Sequence, residues 1–137
     1  MINVILLASY LHAPSYLVSM VMRSFPADPL LAVSVVWRES EFHTKALGDN
    51  GWSNDWGLWQ LNSYWHPAGQ HRESLKKHVA YGAAYLFSLL WLYRGAGEQA
   101  VAFALSHYHA GSPISAHGLE YAAEVIQIYN RLRGCKK

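Results

Sequence analysis

Glu39 is the residue of this sequence with the clearest chemical potential, because it ends an almost wholly apolar segment. The run from Leu30 to Trp37 contains one serine and otherwise only apolar residues. A carboxyl group in such surroundings has a raised pKa, since burial disfavours the charged form. A glutamic acid that stays protonated near neutral pH can give its proton to a glycosidic oxygen. We therefore expect Glu39 to be a general acid, rather than a solvated glutamate or one paired with Arg38.

Two further motifs follow Glu39-Ser40 in order along the chain. The first is the run Gly57-Leu58-Trp59-Gln60-Leu61-Asn62, and the second is Ala104-Leu105-Ser106-His107-Tyr108-His109-Ala110-Gly111. Glu-Ser followed by these two runs resembles the lytic transglycosylase and goose-type lysozyme superfamily. The resemblance implies that Glu39 is the catalytic acid and that Ser40 and Tyr108 steady the charge that develops during the reaction.

The same resemblance implies a substrate. It covers roughly residues 14–133 and predicts cleavage of the β-1,4 bond between N-acetylmuramic acid and N-acetylglucosamine in peptidoglycan glycan strands, with no metal and no organic cofactor. The residues expected to bind the strand are Gln60, Asn62, Trp59, Asp49, Asp55, Trp52 and Tyr121. The chain departs from the family pattern at Trp59, where Met or Phe is commoner, and at His109, where Asn is usual.

The choice between a lyase and a hydrolase depends on a second carboxylate. Hydrolysis with inversion needs a carboxylate that activates water. Asp49 and Asp55 are the aspartates of the loop expected to face the cleft, and goose-type lysozymes place their water-positioning aspartate in the corresponding loop. A lytic transglycosylase needs no such base, because the 6-hydroxyl of the sugar attacks instead. We favour the lytic transglycosylase, with the hydrolase as the alternative.

Aromatic residues add a supporting observation. The chain contains six Trp and nine Tyr, and Trp52, Trp56, Trp59 and Trp65 lie in or beside the same loop. Aromatic rings with a polar edge suit the C–H faces of pyranose rings. About half of these rings are expected to fill the core instead.

Three other interpretations of the site compete with this one. The pair His107 and His109 is compatible with zinc binding, but residues two apart on a helix point roughly 200° apart. Ser40 lacks the Gly-x-Ser-x-Gly context of a nucleophile. A wall-binding module without turnover is the third reading, and the joint presence of Glu39, Gln60 and Tyr108 argues against it.

The elements that must position these residues are helical. A first helix is predicted from near Pro14, and a second is predicted from Asp28 as a cap with Pro29 in its first turn. Later helices are predicted at about residues 73–94, 98–109 and 116–133. Residues 48–55 have no periodicity and many turn formers, so they predict an irregular loop or short hairpin that lines the sugar cleft. We expect an all-α fold class, and the resemblance implies a lysozyme-like fold in one catalytic domain spanning residues 1–137.

Composition limits the partners. A net charge of +2 without a concentrated basic stripe argues against nucleic acid as a binding partner. The apolar run from Val79 to Tyr93 is too short for a bilayer span and predicts a buried core helix. Residues 1–13 predict an ordered arm or a weak signal-like segment, and the one cysteine, Cys135, precludes an intramolecular disulfide. We expect a monomer that acts in the cell envelope, the periplasm or outside the cell.

Overall fold

The structure is a computed structural model that describes residues 2–134, so Cys135 lies outside the described residues. The chain is mainly helical, as the sequence predicted. Its elements are α1 (Val4–Leu11), α2 (Ser15–Ser24), α3 (Pro29–Ser40), β1 (Leu47–Asp49), β2 (Asn54–Trp56), β3 (Leu61–Asn62), α4 (Ala68–His71), α5 (Leu75–Leu92), a 3₁₀ segment (Arg94–Gln99), α6 (Ala100–Ala110) and α7 (Ala116–Arg133).

Helix α3 lies at the centre of the core, as its composition predicted. Asp28 caps it by accepting a hydrogen bond from the amide of Leu31 at 3.4 Å, and Pro29 occupies the first turn. Every residue from Leu30 to Val36 is buried. The helix ends where Glu41 takes a left-handed φ of 50°. A rigid, buried helix therefore presents Glu39 in its last turn.

Helices α1 and α2 cover one side of this core. Leu7 and Leu11 of α1 and Val18 and Val21 of α2 are all buried. Asn3 caps α1, so the segment before Pro14 is an ordered helix packed on the core. Within residues 2–134, no single helix has the length and hydropathy of a bilayer span; α1 and α2 pass that test only as a pair, and they are bent by 115°.

The predicted loop contains a small antiparallel sheet. Strands β1 and β2 form a hairpin, and β3 adds to the other edge of β2. Asp55 of β2 pairs with Asn62 of β3, so their side chains lie next to each other on one face. The sequence predicted an irregular loop or a short hairpin; the hairpin is confirmed, and the third strand was not predicted.

Helix α5 packs against the turn between β2 and β3. It begins after Ser74, whose side chain accepts from the amide of Lys77 at 3.1 Å, and it ends at Leu92, within the predicted bounds. Gly82 allows the ring of Trp59 to lie directly against the helix, because a Cβ atom there would be 2.2 Å from the ring. The turn that carries Trp59 is thus fixed to α5.

Helices α6 and α7 complete the fold. The predicted start of α6 at Glu98 is too early, because Gly97 has a φ of 62° and residues 94–99 form a 3₁₀ segment. Gly111, with a φ of 72°, ends α6, and Ser115 caps α7 through the amide of Gly118 at 2.9 Å. Helix α7 packs against both α6 and α3. It therefore lies close to the last turn of α3.

Candidate active site

A cleft of about 820 Å³ separates the sheet from helices α6 and α7. This volume is in the range of binding sites for organic ligands. Its lining combines acids, amides, imidazoles and aromatic rings: Glu39, Asn50, Asp55, Gln60, Leu61, Asn62, Trp65, His66, Tyr85, His107, Tyr108, His109, Ala110, Gly111 and His117. Of the predicted site residues, Glu39, Asp55, Gln60, Asn62 and Tyr108 line it.

Glu39 carries a proton more readily than an ordinary glutamic acid. Its pKa is raised to about 7, chiefly by burial and to a smaller extent by the negative charge of Asp55. A hydrogen bond from Tyr121 and the charge of Arg38 lower the pKa, but burial outweighs both. At neutral pH a substantial fraction of Glu39 is therefore protonated and available as an acid.

Arg38 does not form the ion pair that would keep Glu39 charged. Its Nε donates to Glu124 Oε2 of α7 at 2.6 Å, and both side chains are partly exposed. The guanidinium also lies 5.3 Å from the centre of the Tyr121 ring. Because the guanidinium of Arg38 is paired with Glu124 of α7, Glu39 is not one partner of a surface ion pair with Arg38.

Tyr121 is the tyrosine that contacts the carboxyl group of Glu39. Its hydroxyl donates to Glu39 Oε2 at 2.7 Å, and its side chain is 2% exposed. The ring stacks on His109 with centroids 4.3 Å apart and an angle of 4° between the rings. Tyr121, which the sequence predicted to bind substrate, is a buried residue that holds one oxygen of Glu39.

Tyr108 and Trp59 form a second buried contact, which differs from both predictions. The Tyr108 hydroxyl donates to the backbone carbonyl of Trp59 rather than to Glu39. The Trp59 ring is fully buried, whereas the sequence predicted that it contacts sugar. Gly57 and Gln60, on either side of Leu58 and Trp59, both have a positive φ. Together these contacts fasten α6 to the turn before β3.

The side chain of Ser40 forms hydrogen bonds with backbone carbonyls of two elements and not with the carboxyl group of Glu39. Its hydroxyl lies 2.8 Å from the carbonyl oxygen of Leu58 and 3.1 Å from that of Val36, and the residue is 7% exposed. These hydrogen bonds link the turn of residues 57–62 to α3. The role of Ser40 in steadying a developing charge stays a prediction.

The structure separates the two candidate aspartates. Asp55 lines the cleft, where its Oδ1 accepts from Asn62 Nδ2 at 2.9 Å and its Oδ2 from Asn50 Nδ2 at 3.2 Å. Asp49 is exposed, lies outside the cleft lining and accepts from the amide of Gly51 at 2.8 Å. Asp55 is therefore the carboxylate that shares the cleft with Glu39.

Gln60 and Asn62 build the sheet side of the cleft. Gln60 has a φ of 49°, and its amide nitrogen donates to the carbonyl oxygens of Ala46 at 3.0 Å and Gly57 at 2.9 Å. Asn62 donates to Asp55 and, at 3.0 Å, to Ser53 Oγ. Both amides hold the loop in shape while they line the cleft.

Trp52, the remaining predicted contact, lies outside the cleft lining and is 72% exposed. Its ring packs edge-to-face with the ring of Tyr64, with centroids 5.4 Å apart. Trp65, which the sequence placed beside the same loop, lines the cleft.

The sequence did not predict the imidazoles of the cleft. His107 Nδ1 is hydrogen-bonded to the Tyr93 hydroxyl at 2.7 Å. His109 and His117 are hydrogen-bonded to each other through their Nε2 atoms at 2.9 Å. His107 and His109 therefore face different partners. Within residues 2–134, no group of three His, Cys, Asp or Glu side chains is arranged to hold a metal ion.

A chain of buried imidazoles lies beneath the site. The amide of Trp59 donates to His78 Nε2 at 3.1 Å, so the His78 proton is on Nδ1 and is directed at His71 Nδ1, 3.2 Å away. His71 Nε2 then donates to the carbonyl oxygen of His66 at 2.9 Å. Each imidazole is neutral in this arrangement. Burial, His71 and Arg72 lower the pKa of His78 to about 4.

The buried imidazoles predict that the folded protein loses stability in acid. Because the folded pKa of His78 lies below its ordinary value of about 6.5, its contribution to stability is complete above pH 6.5 and is lost as the pH falls towards 4. The loss is on the order of 3 kcal/mol. Urea unfolding measured across this range checks it: His78→Gln should flatten the pH dependence, whereas the exposed control His12→Asn should retain it. An unchanged slope in His78→Gln would contradict the assignment.

Comparisons with known proteins support the family. The family model described as a lysozyme-like domain matches residues 23–89, just under half of the chain. Searches of curated proteins and of solved structures each found no match. The matched region contains Glu39, the sheet and most of α5, and the mainly helical fold agrees with it. The match supports the resemblance of this chain to the lysozyme-like superfamily that includes lytic transglycosylases and goose-type lysozymes.

Proposed function

We propose that this protein cleaves the β-1,4 bond between N-acetylmuramic acid and N-acetylglucosamine, with Glu39 as the general acid. The observation that carries the proposal is the raised pKa of Glu39, about 7, in a cleft of 820 Å³. A general acid works best when its pKa lies near the operating pH. The amides of Gln60 and Asn62 and the ring of Trp65 offer polar and flat contacts for the glycan.

We propose lytic transglycosylation as the reaction. Glu39 protonates the bridging oxygen, the bond to the muramic acid carbon breaks, and the departing sugar takes that proton. The carboxylate of Glu39 then accepts the proton of the 6-hydroxyl as this oxygen bonds to the same carbon, giving the 1,6-anhydro product. A single group with a pKa of about 7 is suited to both steps.

Hydrolysis is the second candidate, and Asp55 favours it. Its carboxylate faces the same cleft and raises the pKa of Glu39, which places its charge near the acid. Two amide groups orient it. A carboxylate in this position is suited to activate a water molecule on the opposite face of the sugar.

The products distinguish the two reactions. Mass spectrometry of muropeptides after digestion in H₂¹⁸O should show 1,6-anhydro ends without ¹⁸O for transglycosylation, and ¹⁸O-labelled reducing ends for hydrolysis. Asp55→Asn should lower the rate by about 10²-fold or more if water attacks, and by less than about tenfold otherwise. Asp49→Asn is the matched control. An absence of products from every tested wall would instead indicate a binding module.

Tyr121→Phe tests the tuning of the acid. Removing the hydroxyl removes a hydrogen bond that lowers the pKa of Glu39, so this pKa should rise. The alkaline limb of kcat/KM, where the acid loses its proton, should move to higher pH, with a loss of roughly tenfold in rate from poorer orientation. Tyr129→Phe is the control, because it removes a bond from the same helix to Asp28. A Tyr121→Phe profile that matches this control would contradict the assigned contact.

We further propose that the chain acts as one catalytic domain and as a monomer. Peptidoglycan lies in the cell envelope, so the site of action is the periplasm or the exterior of the cell.

A further inference from the structure

Three exposed aromatic rings form a ridge that continues from the cleft. The rings of Trp52, Tyr64 and Trp65 are 72%, 63% and 70% exposed. Tyr64 contacts both neighbours, with centroid distances of 5.4 Å to Trp52 and 4.7 Å to Trp65. Exposed aromatic side chains in contact with one another mark an interaction surface more than isolated ones do.

The ridge is joined to the cleft at one end only. Trp65 lines the cleft, whereas Trp52 and Tyr64 lie outside its lining. The row of rings therefore begins at the cleft with Trp65 and continues outside it with Tyr64 and Trp52. A polymer held in the cleft and extending past Trp65 meets Tyr64 and then Trp52.

The backbone under the ridge is held in place. The amide of Tyr64 donates to Asn62 Oδ1 at 2.9 Å, and the amide of Trp65 donates to the carbonyl oxygen of Asn62 at 3.2 Å. The amide of Asn50 donates to the carbonyl oxygen of Ser53 at 2.9 Å and closes the turn that carries Trp52. A surface fixed before binding loses less conformational freedom when a ligand binds.

The chemistry of the ridge favours a neutral sugar polymer. Segments 50–54 and 62–65 contain Asn, Ser, Gly and aromatic residues but no Lys, Arg, Asp or Glu. Flat rings surrounded by amides and hydroxyls suit the C–H faces and hydroxyl groups of pyranose rings. A surface that binds anionic lipid would instead combine aromatic residues with Lys or Arg.

We propose that this aromatic ridge, formed by Trp52, Tyr64 and Trp65, binds the part of the glycan strand that extends beyond the cleft. The inference rests on the proposed function for the identity of the polymer. It gives Trp52 a role outside the cleft, where the strand is held but not cut. Its effect is expected on long strands and on the intact wall more than on short oligomers.

Binding, measured without turnover, tests the ridge. In a Glu39→Gln background, which prevents cleavage, we expect Trp52→Ala to weaken sedimentation with insoluble peptidoglycan by about five- to tenfold. Trp91→Ala is the matched control, because Trp91 is 59% exposed on α5 and lies outside the cleft and the ridge. The two variants should show the same circular dichroism spectrum and the same Tm, within about 2 °C.

Two further probes separate the outcomes. Fluorescence titration with long and short N-acetylglucosamine oligomers should show the effect of Trp52→Ala on the long oligomers, and phosphatidylglycerol vesicles should not bind. Equal binding by Trp52→Ala and Trp91→Ala, or vesicle binding lost in Trp52→Ala, would overturn the proposal. Cleavage by the wild type with unchanged Trp52→Ala binding refutes the ridge alone. Wall binding through Trp52 without any cleavage refutes the enzymatic function alone.

Discussion

Glu39→Gln is expected to reduce peptidoglycan cleavage by a factor of about 10²–10⁴ and to leave the fold intact. The amide has nearly the same shape as the carboxyl group, and it can still accept the hydrogen bond that Tyr121 donates at 2.7 Å. It has no acidic proton to give to the bridging oxygen. Release of soluble muropeptides from purified wall measures the loss, and circular dichroism checks the fold.

Glu41→Gln provides the matched comparison. Glu41 stands two residues away, is exposed and lies outside the cleft lining, so its loss of charge should change the rate by less than about twofold. Near-normal cleavage by Glu39→Gln would remove Glu39 from the mechanism. Equal losses in both variants would point to a general effect of charge on wall binding.

Gly82→Ala should produce a large loss of stability for the addition of a single methyl group. The added Cβ would lie 2.2 Å from the ring of Trp59, which is fully buried and cannot swing into solvent. Overpacking of this kind costs about 3 kcal/mol, more than the roughly 1 kcal/mol that alanine gains over glycine in a helix. We expect a Tm lower by about 10 °C, measured by thermal unfolding.

A double-mutant cycle isolates the cause of this loss. Trp59→Leu removes the ring that the methyl group would meet, so Gly82→Ala should cost much less free energy of unfolding in that background. Gly69→Ala is the control, because a Cβ there meets no atom within 4 Å. Additive effects of Gly82→Ala and Trp59→Leu would show that the ring and the methyl group do not compete for space.

The sequence predicted those features that depend on local patterns. The cap at Asp28, the apolar run of α3 and the position of Glu39 at its end all follow from residue type and spacing, and the structure confirms them. The start of α6 was predicted two residues early, because Gly97 imposes a positive φ that spacing does not reveal. The third strand has only two residues, too few to produce an alternating hydrophobic pattern in the sequence.

The roles of individual site residues were harder to predict, because they depend on contacts between distant parts of the chain. Tyr121 and Glu39 meet across 82 positions, and Tyr108 meets Trp59 across 49. The inward turn of Trp59 depends on positive φ at Gly57 and Gln60 and on the absence of a side chain at Gly82. The one available signal was that a tryptophan replaced the usual Met or Phe.

The contact between Glu39 and Tyr121 also makes catalytic competence depend on the completeness of folding. Burial raises the pKa of Glu39, and Tyr121 of α7, which is 2% exposed and 2.7 Å from the carboxyl group, is part of what buries it, even though its hydrogen bond by itself lowers that pKa. A chain in which α7 has not yet docked would hold an ordinary solvated glutamate, ionised at neutral pH and unable to donate a proton. The ability of Glu39 to donate a proton at neutral pH would thus arise only in a molecule whose α7 is docked against α3.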